Sequence, residues 1–162
     1  MKKEITIIGA GLVGSLLSIY LAKRGHKVSI YERRSDMRRE DMIAGRSINL
    51  ALSDRGLLAL EKVGLTDEIK KICIPMHGRQ IHNVDGSITF QPYGKEGQYI
   101  NSVSRGELNK QLMTIAEEHG VNINFNEKCT TLDWKNDKIE FENTAGKQLP
   151  SSKADIIFGA DG

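Results

Sequence analysis

The chain has 162 residues, of which 39% are hydrophobic and 27% charged, with a formal net charge of +2. This composition reads as one water-soluble globular domain able to bury a core. No apolar run approaches the ~18 residues needed to cross a bilayer. Basic and acidic residues are interleaved even in the densest stretch, Arg33 to Asp41, which argues against a nucleic-acid patch and reads as a solvated loop, with contact to a cofactor phosphate or another domain as the lesser reading.

The opening MKKEITIIGAG is too short in apolar residues for a secretory signal and reads as a first strand, Glu4 to Ile8. Leu12 to Arg24 carries apolar residues at helical spacing, with Gly25 as its stop. His26 to Tyr31 alternates as a second strand ending at Glu32. From Arg33 the alternation lapses, through the charged loop and Gly45 to Leu52 (GRSINLAL), where a plain doubly wound domain would continue. Helices are expected at Ser53 to Val63 and Thr66 to Ile72, separated by Gly64. Two extended runs follow, Gly78 to Asn83 and Ser87 to Gln91, with Asp85-Gly86 as a hairpin signal. Ser104 and Glu107 form a capping box ahead of Leu108, Leu112, Ile115 and Ala116, predicting a helix that ends near Gly120. Strands are then expected at Val121 to Phe125, Thr130 to Trp134 and Lys138 to Glu142, the last two joined around Asn136-Asp137. Ala154 to Gly159 (ADIIFG) is a short apolar run suited to a buried parallel strand. The stop at Gly162 directly after that strand reads as a truncation.

Cys73 and Cys129 show neither metal-ligand spacing nor a Cys-x-x-Cys pair, so a reduced, cytoplasmic setting is the simplest. His26, His77, His82 and His119 show no ligand pairing and no nucleophile partner, and none is assigned a catalytic role.

One constellation carries chemistry. Gly9, Gly11 and Gly14 form G-x-G-x-x-G between the first strand and the first helix, and Glu32 closes the second strand. Gly9 permits the tight turn, Gly11 lets a pyrophosphate approach the backbone, and Gly14 lets helix and strand pack closely. The free N–H groups and positive end of the helix then meet the phosphates. Glu32 can accept hydrogen bonds from ribose hydroxyls, while its charge disfavours a ribose phosphate, so this site suits FAD or NAD rather than NADP.

Four further segments follow the fingerprint in order: Gly45 to Ser53 (GRSINLALS), Gln91 to Gly94 (QPYG), Ser102 to Arg105 (SVSR) with Leu108-Asn109-Lys110, and Gly159 to Gly162 (GADG). With them the whole chain resembles the kynurenine 3-monooxygenases, flavoprotein aromatic hydroxylases. GADG and the glycines are general to flavin hydroxylases, whereas GRSINLALS and the QPYG region point to the kynurenine enzymes. The resemblance implies an α/β, Rossmann-like FAD-binding domain with a parallel sheet and an inserted β segment at about 74–102. It implies non-covalent FAD, NADPH as co-substrate, and hydroxylation of L-kynurenine at ring position 3. Carried over by motif, Gly9, Gly11, Val13 and Gly14 hold the pyrophosphate, and Glu32, Arg33 and Arg34 the adenosine end. Ala51 and Arg105 lie against the cofactor, Asp161 stands near it, and Arg79 and Tyr93 grip the substrate carboxylate. Family members are more than twice as long, so the chain is expected to be an N-terminal portion inactive on its own. Another FAD- or NAD-dependent oxidoreductase, or a non-enzymatic dinucleotide-binding module, is also compatible with the fingerprint.

Overall fold

The structure is a computed structural model, and it describes residues 1–39, 48–136 and 138–162. The chain divides into two compact units, Met1–Ala44 with Asn109–Gly162, and Gly45–Leu108.

The first unit is built on β1 (Glu4–Ile8), α1 (Leu12–Ala22) and β2 (Lys27–Glu32). β1 and β2 pair in parallel, Ile5 opposite Val28 and Ile7 opposite Ile30, and their β-branched side chains are fully buried. α1 turns Gly14, Ser15, Ser18 and Ile19 inward. Three of these four are small, so the helix can lie close to the sheet, and the buried hydroxyls are satisfied internally, Ser15 Oγ on the Ala10 carbonyl and Ser18 Oγ on that of Ser15. The helix stops where expected. Gly25 adopts φ +83 and His26 N–H reaches back to the Leu21 carbonyl, an arrangement open to a residue without Cβ.

Chain order then passes through the second unit. There β3 (Asn49–Leu52), β7 (Ile100–Ser104) and β4 (Ile74–Met76) form an antiparallel sheet in the order β3-β7-β4. The helices α2 (Asp54–Glu61) and α3 (Thr66–Lys70) contribute Leu60 and Ile69 to a core shared with Val63, Leu65, Val103 and Leu108. β5 (Gly78–His82) and β6 (Ile88–Pro92) form a separate hairpin, its turn closed at Gly86 with φ +82. None of β3, β4 and β7 is expected from sequence pattern. Each has 3 to 5 residues, and their pairing partners lie far away in the chain, so no turn signal marks them.

α4 (Arg105–Glu118) begins in the second unit and continues into the first. The Ser104 hydroxyl accepts the Glu107 N–H, the first half of the capping box. Leu112, Met113, Ile115 and Ala116 are buried, and Gly120, φ +80, ends the turn. β8 (Asn122–Phe125) and β11 (Ile156–Gly159) complete the four-stranded parallel sheet in the order β11-β1-β2-β8. β9 (Glu127–Asp133) and β10 (Lys138–Asn143) form an antiparallel pair. Phe141 of that pair is fully buried and stacks on Tyr31 at 4.0 Å.

Two expectations are corrected. β11 is an edge strand, so Ile156 and Phe158 are 40% and 37% exposed rather than buried: an apolar run marks a strand but does not supply a neighbour on both sides. The charged loop after β2 is not simply solvated in its described part. Asp36 is buried and makes a two-pronged ion pair with Arg38 at 2.8 Å, and Arg38 also bonds Glu117 on α4. The bond from Arg38 holds the Asp36 carboxyl below its usual range, and the two acids hold the guanidinium protonated. Glu40 to Ser47 of the loop and of GRSINLALS, together with Asp137 of the expected β9–β10 turn, lie outside the described residues. Among the described residues no helix is long and apolar enough to cross a membrane.

Candidate dinucleotide site

The glycine turn joins β1 to α1, and each of its glycines meets a different constraint. Gly9 takes φ +103, and a Cβ there would stand 2.7 Å from the Ala160 carbonyl oxygen and 2.9 Å from Asp161 Cα. Beyond allowing the turn, Gly9 therefore lets it lie flush against the GADG segment leaving β11. A Cβ on Gly14 would stand 2.0 Å from the Gly9 carbonyl oxygen, which is the close helix-to-strand packing expected of it. Gly11 differs from both. Its φ is −71, open to any residue, and nothing lies within 4 Å of the position a Cβ would take. A space kept clear there is what a pyrophosphate approaching the backbone requires.

α1 starts directly beyond this space without a side-chain cap, so the first N–H groups of the helix, at Leu12, Val13 and Gly14, have no intrahelical acceptor and present the positive end of the helix dipole. Val13 is 69% exposed on this first turn.

Glu32, at the end of β2, turns back to the glycine turn. Its Oε2 accepts the Ala10 N–H at 2.8 Å and its Oε1 the Arg34 N–H at 2.9 Å. Each carboxylate oxygen keeps a further lone pair, enough for a pair of ribose hydroxyls. Arg33 and Arg34 are exposed and line a cavity of about 410 Å³ with Lys128, Glu142, Asn143, Thr144 and Gly146. Asp161 lies close enough to Cys129 that, after burial, its charge is the next cause raising that thiol's pKa. Gly9, Gly11, Gly14, Glu32 and Asp161 thus gather around the C-terminal ends of β1, β2 and β11, where open parallel sheets bind their ligands.

The remaining expected residues lie in the second unit. Ala51 is exposed on β3 opposite Ser102. Arg105, also exposed, opens α4, its N–H on the Ile48 carbonyl. Arg79 on β5 pairs with Gln91 on β6 and donates to its Oε1 at 2.8 Å. Tyr93 extends the same ladder by one bond, from its N–H to the His77 carbonyl. Strand alternation therefore puts Arg79, Gln91 and Tyr93 on one face of the hairpin.

Sequence pattern does not single out the residues that fasten the turn itself. The Ala10 carbonyl receives Ser15 Oγ at 3.2 Å and Asn109 Nδ2 at 3.0 Å. Asn109 occurs in the SVSR-GELNK segment, but its link to a turn 99 residues away has no local signature.

A strand, a glycine turn, an open helix end and an acid closing the second strand define a dinucleotide-binding fold of the Rossmann type. Comparison with known proteins makes this specific, because a family model described as "FAD binding domain" matches residues 2–162. The chain belongs to that FAD binding domain family. It is 51% identical to the kynurenine 3-monooxygenase of Myxococcus xanthus over 99% of its length and 35% of that protein. The corresponding enzyme of Cytophaga hutchinsonii is 46% identical over 100% and 36%, and that of Anopheles gambiae 42% identical over 98% and 33%. The chain therefore spans about a third of the length of these curated relatives. Among solved structures, a variant of 2-methyl-3-hydroxypyridine-5-carboxylic acid oxygenase superposes with a TM-score of 0.73 at 25% identity, over 100% of this chain and 40% of that one. The myxobacterial chondrochloren halogenase, a variant of FAD-dependent halogenases, at 22% identity, shares the fold with a TM-score of 0.73 over 99% of this chain and 37% of that one.

Proposed function

We propose that this chain is the FAD-binding portion of a kynurenine 3-monooxygenase. The observation that carries the reading is the cradle itself: clear space over Gly11, an uncapped helix end, and Glu32 held against the turn. The named relatives, at 42–51% identity over nearly the whole chain, favour the kynurenine enzymes over other flavin hydroxylases. Gly9, Gly11, Val13 and Gly14 would hold the pyrophosphate of FAD, Glu32 its ribose, and Arg33 and Arg34 the adenosine end. Ala51 and Arg105 would lie against the cofactor, with Asp161 beside it.

Bound FAD would supply the redox chemistry, taking a hydride from NADPH and activating oxygen for hydroxylation of the aromatic ring of L-kynurenine. The chain's own task is binding and placement. Arg79 can grip an amino-acid carboxylate through two parallel N–H bonds, and Tyr93 can add a hydroxyl donor. Among the described residues only the Arg79 Nε is engaged, by Gln91 Oε1, which leaves the Nη1 and Nη2 donors for the carboxylate on an exposed hairpin. The whole enzyme would work in the cytoplasm, and the 162-residue portion alone would not turn over.

The test uses the protein encoded by the complete reading frame. NADPH consumption should depend on L-kynurenine and yield 3-hydroxykynurenine. Arg79→Met should raise KM for kynurenine by about 10- to 100-fold, the loss of a charge-assisted carboxylate contact. NADPH oxidation indifferent to kynurenine would overturn the reading.

A further inference from the structure

The glycine turn is held by two side chains that act on consecutive peptide groups. Glu32 takes the Ala10 N–H, which belongs to the peptide between Gly9 and Ala10. Asn109, from α4, donates to the Ala10 carbonyl, which belongs to the next peptide, and it does so alongside Ser15. A trans peptide is planar, with its C=O and N–H pointing in opposite directions. Drawing the Ala10 carbonyl toward α4 therefore aims the Gly11 N–H the other way. Among the described residues that N–H has no hydrogen-bond acceptor, and it sits on the one glycine of the turn whose Cβ position is clear.

The chemistry of Asn109 fits this task better than it fits packing. Its Nδ2 also meets Met37 Sδ at 3.4 Å, while its Oδ1 is shut away from solvent with no partner. Turning the amide over would set Oδ1 against two acceptors, so the orientation with nitrogen toward Ala10 is fixed by its surroundings. An apolar side chain of similar volume would leave no orphaned acceptor. The asparagine thus serves as a donor.

We propose that Asn109 is a positioning residue of the cofactor cradle, orienting the Ala10–Gly11 peptide so that the Gly11 N–H is presented to the pyrophosphate of the bound dinucleotide. The proposal rests on the flavoprotein reading above for the identity of that dinucleotide.

The test uses the full-length protein, with FAD affinity measured by flavin fluorescence from pH 5 to 8.5 and melting of the apoprotein followed in parallel. In Asn109→Asp the ionised carboxylate would face the Ala10 carbonyl and turn it away, whereas the protonated acid can donate as the amide does. Its FAD affinity should fall by about 10- to 100-fold at pH 8 and recover as the pH drops toward 5, because burial and the acceptor carbonyl of Ala10 push the introduced carboxyl above its free value of ~3.9. Asn109→Leu should lose affinity at every pH. Glu32 faces the same turn in wild type and variant alike, so the wild-type profile is the reference. A loss in Asn109→Asp that is flat with pH and matched by a fall in apoprotein melting would make Asn109 merely structural and overturn the proposal, as would unchanged affinity in both variants. If wild type binds NAD and not FAD, the flavin reading fails; the same pH-dependent loss read with NAD would still support the role of Asn109, and its absence would overturn that too.

Discussion

Gly11→Ala separates binding from stability, because the two other glycines of the turn are packed and this one is not. Gly11 has φ −71 and no atom within 4 Å of the methyl to be added. Alanine adopts that backbone without strain, and narrowing the unfolded ensemble stabilises by ~0.4–1 kcal/mol. For a chain of this size that is a melting rise of about 1–4 °C. The methyl would, however, occupy the space through which the pyrophosphate approaches, and overpacking of this kind should weaken FAD by about 10- to 100-fold. Gly14→Ala is the control. Its methyl would lie 2.0 Å from a backbone oxygen, and restoring a 3.4 Å contact moves α1 outward by roughly 1.4 Å. Overpacking at the upper end of ~1–3 kcal/mol outweighs the ~1 kcal/mol helix-propensity gain. This variant should melt several degrees lower and also lose FAD. Thermal unfolding of the apoprotein and FAD titration of both variants make the assay. A Gly11→Ala protein that binds FAD as wild type does, or one that melts lower, would refute the reasoning.

Three further outcomes are expected. Arg38→Met leaves the buried Asp36 carboxylate without its two-pronged partner and should cost about 2–3 kcal/mol by urea unfolding, less than a fully buried pair because Arg38 is partly exposed. Because the folded protein lowers the Asp36 pKa, its contribution is complete above the unfolded value of ~3.9 and is lost as pH falls through the lower folded value; Asp36→Asn should flatten the acid limb of a stability profile between pH 6 and 2.5. Phe141→Ala removes a fully buried ring stacked on Tyr31 and should destabilise by about 3–5 kcal/mol, read as a shift in urea midpoint.

The sequence was most informative where structure is local. β1, α1 and β2 could be placed from the glycines, the helical spacing and Glu32, because turn geometry and amphipathic period depend on neighbours in the chain. Gly25, Gly64, Gly86 and Gly120 fall at turns for the same reason, each with positive φ. What was hidden is long-range. β3, β4 and β7 exist because they pair with one another across tens of residues. The edge position of β11 depends on which strands lie beside it, and the burial of Asp36 on Arg38 and α4. At the site, the glycines and Glu32 were legible as a motif, but the reason Gly9 must be glycine includes contact with Ala160 and Asp161, and the Asn109 link joins distant segments.

The most direct test of the central claim is to titrate the purified 162-residue chain with FAD and, separately, with NAD, following flavin fluorescence and thermal stability. FAD should bind and raise the melting temperature as its concentration passes the dissociation constant, NAD should do neither, and Glu32→Arg should weaken the FAD response. Tight binding of NAD with none of FAD would contradict the account.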